Sequence, residues 1–131
     1  MSFSGDMGAA TKRIIEAHDK IARTATLDFF GGTVRDTPVD KGAARGSWTV
    51  GVGSEPAASP DRLDPSGSAA LAEIEAETPK GAGDITYMMS NLPYIEELEN
   101  GSSQQSPQGM VRRNLARVQR IVNAAISKYR V

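Results

Sequence analysis

A periodic stripe at the C-terminal end limits most strongly what this chain can become. Between Gly109 and Arg130, the residues Val111, Leu115, Val118, Val122, Ile126 and Tyr129 recur at intervals of three or four, the repeat of one helical face. They predict a helix about 30 Å long whose apolar side must be covered. Arg113, Arg117, Arg120 and Lys128 fall on the opposite side. These four read either as a solvated face or as a nucleic-acid contact, the latter in a binding module or in a surface that faces passing DNA. No aromatic residue stands between them, which argues against a single-strand stacking platform.

A second helical pattern opens the chain. Ile14, His18, Ile21, Ala25 and Phe29 share one face, and Lys12, Arg13, Glu16, Lys20 and Arg23 lie on the other. Leu27 and Phe30 depart from the stripe, so this end is expected to be contacted from a second direction, by another element or another subunit. Gly31-Gly32 supplies the expected stop.

Between the helices the period changes to two. Trp48, Val50 and Val52 alternate with Thr49 and Gly51, and Ile85, Tyr87 and Met89 alternate with Thr86, Met88 and Ser90. Both runs read as strands, expected to pair antiparallel. The segment at about 54–67 holds three prolines and mostly small or acidic residues. It is expected to bury almost nothing and to stay flexible until a partner orders it. Ser68 to Glu77 predicts a short helix ended by Pro79, with Glu73, Glu75 and Glu77 as a solvated face. The expected fold is α+β, a single domain over residues 1–131 in which a small antiparallel sheet packs against two long amphipathic helices.

Composition removes several chemistries. The chain has 131 residues, enough for one core and too few for two ordinary domains. It has no cysteine, so disulfides, thiolate metal sites and a cysteine nucleophile are excluded. A formal net charge of −1 gives no general grip on nucleic acid or anionic membrane. No run approaches the ~20 apolar residues of a membrane span. The start of the chain lacks the basic-then-apolar order of a signal peptide, so synthesis in the cytoplasm is expected. The single histidine, His18, sits on the apolar stripe of the first helix and reads as a core or interface residue rather than a base or ligand. Carboxylates cluster at Glu96, Glu97 and Glu99 and at Asp61 and Asp64. A hydrolase built on them requires a cleft and a raised pKa. No cofactor motif occurs.

Two segments carry the remaining information. The first runs Thr37-Pro38-Val39-Asp40-Lys41-Gly42, with Arg45, Ser47 and Trp48 following. The second runs from Tyr94 through Glu99, Gly101, Ser103, Gln104, Pro107 and Gly109 to Met110. In the second, Glu99 is placed to accept backbone N–H groups, Pro107 and Gly109 fix the entry into the last helix, and Ser106 is a candidate cap. Glu99 and Tyr94 serve either the monomer or an interface. Trp48 reads as core rather than docking anchor, and Asp40 and Arg45 as a pair within the chain or across an interface.

Together the two segments resemble the tail completion or neck proteins of long-tailed bacteriophages, the minor tail proteins related to lambda tail protein Z. That family has a "TPVDTG" segment followed by arginine and "SW" before its first strand. A tyrosine and a Glu-x-Gly, Ser, Pro-x-Gly loop precede its last helix. Here Lys41 replaces the usual threonine and Ser106 a common alanine. The resemblance spans Asp36 to Val111. It implies a non-enzymatic virion protein without cofactors, a homo-oligomeric ring of six subunits at the head-proximal end of the tail. The implied partners are the tail terminator or tail tube and the head–tail connector, with passing contact to genomic DNA.

Overall fold

The computed structural model describes residues 3–130. Its first element, α1, is a helix of 34 residues, Phe3–Asp36. It passes straight through Gly31-Gly32, where a stop was expected. Both glycines are buried, and a Cβ on Gly32 would lie 2.1 Å from the side-chain oxygen of Asn114. Close approach of another helix, not termination, explains this glycine. The helix ends where chemistry forces it to end, since the residue before Pro38 disfavours helical geometry. Thr37 N–H closes the last turn on the Val34 carbonyl at 3.1 Å.

A single turn, α2 (Ala43–Gly46), leads into β1 (Thr49–Val52). β1 pairs antiparallel with β2 (Thr86–Met89), with Thr49 opposite Met89 and Val52 opposite Thr86. One face of this ribbon turns inward. Val50 and Met88 lie opposite each other and join Val34, Trp48, Ala70, Ile74 and Met110 in the core. The fold is therefore α+β, a two-stranded antiparallel sheet packed against helices.

Between the strands lies α3 (Ser68–Glu77), which buries Ala70 and Ile74. Its N-terminus is closed by Asp64, whose carboxylate accepts the N–H groups of Ala69 and Ala70 at 3.2 and 2.9 Å. The proline-rich segment thus departs from expectation. Asp64 and Gly67 are buried, and Ser59 and Asn91 exchange hydrogen bonds of 3.1 and 2.8 Å. Arg62 donates to the carbonyls of Gly46 and Trp48 at 2.8 and 3.0 Å. Glu73 is likewise not a solvated residue. Its carboxylate accepts from Arg62, from the Thr49 hydroxyl and from the Val50 N–H, which blunts the outer edge of β1 with a side chain.

After β2, α4 (Ile95–Glu99) leads to the final helical region. That region is two helices rather than one, α5 (Val111–Ala116) and α6 (Val118–Lys128), separated at Arg117. Arg117 Nη1 donates to Asn114 Oδ1 at 3.1 Å across the break. They run antiparallel to α1. Asn114 meets Gly32 at one end, and the Tyr129 phenol oxygen accepts a 3.1 Å bond from Thr24 at the other. The face pressed on α1 holds Asn114, Ile121 and Ala125. The apolar stripe expected to be covered is covered only in part: Val111 packs against the core and Val122 and Tyr129 are half-buried, while Leu115, Val118 and Ile126 are 55%, 39% and 41% exposed. Asn114 comes close to α1 because Gly32 has no side chain to keep it away, and Ile121 and Ala125 complete the packed face. His18 is exposed rather than core.

Candidate functional site

The first conspicuous segment is stitched to the end of α1. Thr37 Oγ1 donates to the Thr33 carbonyl at 2.7 Å and accepts the Trp48 indole N–H at 2.8 Å. Trp48 lies in the core, 6% exposed. Arg45 does not turn to Asp40. Its guanidinium donates to the carbonyls of Thr37, Pro65 and Arg35, each at 2.9 Å, and Asp40 stands exposed. Gly42 has φ 96° and lies so close to the proline-rich segment that a Cβ would come within 2.4 Å of Pro65 N. Only glycine meets both conditions.

The second segment is organised by Glu99. One carboxylate oxygen accepts the N–H groups of Met110 and Val111 at 2.8 Å each, and the other accepts Arg112 N–H at 2.9 Å and Arg112 Nε at 3.2 Å. The Arg112 guanidinium also reaches the Glu99 carbonyl. A carboxylate thus saturates the otherwise unpaired N–H groups that open α5. Burial raises the pKa of this carboxyl, but the three backbone bonds and the Arg112 side chain outweigh it and hold the group below the ordinary carboxylate range. Ser106 does not cap this helix. Its hydroxyl donates to the Gly109 carbonyl at 2.9 Å inside the loop. Gly101, at φ 91°, packs under the Pro107 carbonyl, where a Cβ would sit 2.5 Å away.

These two segments meet. The Gln105 side chain accepts from Val39 N–H and donates to Val39 C=O, both at 2.9 Å, pairing with the backbone as a neighbouring strand would. Beside this clasp lies a groove of about 300 Å³. Asp40, Lys41, Leu63, Tyr94, Leu98 and Ser103 are among the residues that line it. Leu63 and Tyr94 are 66% and 42% exposed. Of the residues singled out from sequence, Asp40, Tyr94 and Ser103 reach the groove; Glu99, Gly101, Pro107 and Gly109 shape the loop behind it; Arg45 and Trp48 hold the first segment in place. Gln105 and Leu63 were not singled out. A glutamine that imitates a strand partner carries no local signal, because its partner lies 66 residues away.

The other candidates do not gather into a site. Arg113 pairs with Asp36 at 3.8 Å and Arg117 is held by Asn114, while the Lys128 ammonium lies over the Tyr129 ring at 5.3 Å. Arg120 is exposed. For the carboxylate reading, Asp64 is committed to α3 and Glu99 is shifted down rather than up. Among the described residues no cluster of three metal-ligating side chains occurs, and no helix is long and apolar enough to cross a membrane. A larger hollow, about 430 Å³, opens between α1 and Tyr129. Its lining mixes Glu16 and Asp19 with Lys20, Arg23 and Lys80, and neither segment reaches it. Comparison of the chain with models of known families, with characterised proteins and with solved structures finds no match in any of the three.

Proposed function

We propose that this chain is a non-enzymatic structural subunit of a phage tail, one copy in a ring at its head-proximal end that completes the tail and allows it to join the DNA-filled head. The observation that supports this reading most is the convergence of its two family-like segments on one surface groove, clasped by Gln105 on Val39. Residues distant in sequence are fixed at fixed positions around Leu63 and Tyr94, which suits a contact that must be repeated identically in every subunit. On this reading the groove receives a neighbouring subunit or an adjoining ring, the tail terminator or tube on one side and the connector on the other. The protein then resides in the virion.

The test is tail completion in vitro. Purified protein added to tails that lack this component should restore their joining to filled heads, and light scattering should detect a ring-sized species, alone or with tails. Gln105→Ala combined with Tyr94→Ala should keep the fold and reduce joining at least tenfold. Protein that neither associates nor restores joining overturns the proposal. The nucleic-acid reading through Arg113, Arg117, Arg120 and Lys128 stands second, because Arg113 and Arg117 already have partners within the chain. It requires binding that falls steeply with salt.

A further inference from the structure

Asn100-Gly101 is the one place in this sequence where glycine follows asparagine, since Asn91, Asn114 and Asn123 precede leucine or alanine. The pair carries latent chemistry. The backbone nitrogen of the following residue can attack an asparagine carboxamide, and a glycine there has no side chain to obstruct the approach. In that step the Gly101 nitrogen gives its proton to water or hydroxide and bonds to Asn100 Cγ. The bond from Cγ to the amide nitrogen breaks, and ammonia leaves with a proton returned from water. A five-membered succinimide remains. Water then opens it at either carbonyl, which yields aspartate or, with one more atom in the main chain, isoaspartate.

Asn100 is exposed, so water and base have access to it. The fold nonetheless withholds the reaction. Asn100 has ψ 5°, which turns the Gly101 nitrogen away from Cβ. Ring closure requires the two to be nearly eclipsed, and ψ is the soft rotation that would bring them together. The nucleophile is also engaged, because Gly101 N–H donates to the Leu98 carbonyl at 3.1 Å. Its neighbours are tied to the same short helix: Asn100 N–H donates to the Glu96 carbonyl at 2.9 Å and Ser102 N–H to the Glu97 carbonyl at 3.1 Å. A turn about ψ must break into this run of bonds. It would also lift Gly101 from beneath the Pro107 carbonyl, against which it packs. Glu99, the residue before, fastens the loop to the start of α5 through the N–H groups of Met110, Val111 and Arg112.

We propose that Asn100 is a latent deamidation site, locked while Glu99 holds the loop closed and released when the loop opens. Its conversion rate then follows the open population of this segment. Ser103 lines the groove and Gln105 clasps Val39 from the same loop, so an extra main-chain atom at residue 100 displaces both. The lock needs no partner, and it holds or fails independently of assembly into a ring.

The test is a mass-spectrometric time course in mildly alkaline buffer, with peptide mapping to separate aspartate from isoaspartate at residue 100. Folded protein is compared with the same chain unfolded in urea and with a synthetic peptide of residues 94–110. The folded protein should convert at least tenfold more slowly than either. Equal rates in the folded and unfolded chain overturn the lock. Glu99→Gln, in protein that circular dichroism shows to be folded, should convert about threefold faster than wild type or more. Arg112→Ala, at an exposed side chain, makes the same test where Glu99→Gln does not fold. An unchanged rate overturns the part given to Glu99. Isoaspartate protein separated by ion exchange should unfold at lower urea than the unconverted protein, and identical midpoints overturn the displacement of the loop.

Discussion

Gly109 lies so close to Glu99 that a Cβ on the glycine would sit 2.5 Å from the glutamate carbonyl oxygen and 2.7 Å from its carboxylate. The glycine also has φ 82°, a conformation that costs other residues about 1–2 kcal/mol. Gly109→Ala therefore meets strain and collision together and should destabilise the protein by about 2–4 kcal/mol in urea unfolding. It should also displace the loop that shapes the groove, so joining should fall further than stability alone explains.

Glu99 itself should behave as an acid-sensitive clamp. Its folded pKa is depressed, so its stabilisation is complete above the ordinary glutamate pKa, about 4.3, and is lost as pH falls through the lower folded value. Glu99→Gln removes the charge and should cost about 1–3 kcal/mol at pH 7. The difference between wild type and variant should shrink as both are acidified below pH about 4, measured as urea midpoints across pH. A constant difference would contradict the clamp.

What the sequence showed and what it hid divide along physical lines. The strands and their antiparallel pairing were legible from the alternation, but the inner face of the second was not: Met88, from the set with Thr86 and Ser90, turns inward opposite Val50, while Ile85 is 66% exposed. The α+β class followed from the change of period. The packed face of α5 and α6 was legible only in part, because hydrophobicity alone decided the expected stripe, whereas Gly32 on α1 makes room for the polar Asn114, and Ile121 and Ala125 complete the face. The roles of Arg62, Asp64 and Glu73 were hidden for a related reason. Each satisfies backbone groups on another segment, as when Glu73 takes Val50 N–H from 23 residues away, and no local pattern records such a partner. For the site, the two segments were visible as strings, but their meeting through Val39 and Gln105 was not.

Gly32 yields a prediction that runs against helix propensity. Alanine is intrinsically better than glycine inside a helix by about 1 kcal/mol, so Gly32→Ala would stabilise an isolated α1. In the folded protein its methyl would fall 2.1 Å from Asn114 Oδ1, and Asn114 is fully buried and bonded to Asp36 and the Met110 carbonyl at 2.8 Å each. The helices must separate or the asparagine must abandon its partners. A net loss of about 2–3 kcal/mol is expected, with partial recovery in Gly32→Ala/Asn114→Ala. Calorimetric melting of the single and double variants checks both.

The indole of Trp48 and the hydroxyl of Thr37 form the bond that ties the start of β1 to the end of α1, and a double-mutant cycle should isolate it. Thr37→Val leaves the indole N–H buried without an acceptor, and also removes the donor to Thr33 C=O, for a cost of about 1–3 kcal/mol. Trp48→Phe removes the donor and leaves a void in the core, for a comparable loss. Once the indole N–H is gone, Thr37→Val should cost less than it does in the wild type, by about 1 kcal/mol of coupling. Thr37→Ser, which keeps the hydroxyl, should lose less than Thr37→Val. A coupling near zero would show that packing alone sets the angle between α1 and the first segment, and the groove beside Val39 would then tolerate either substitution.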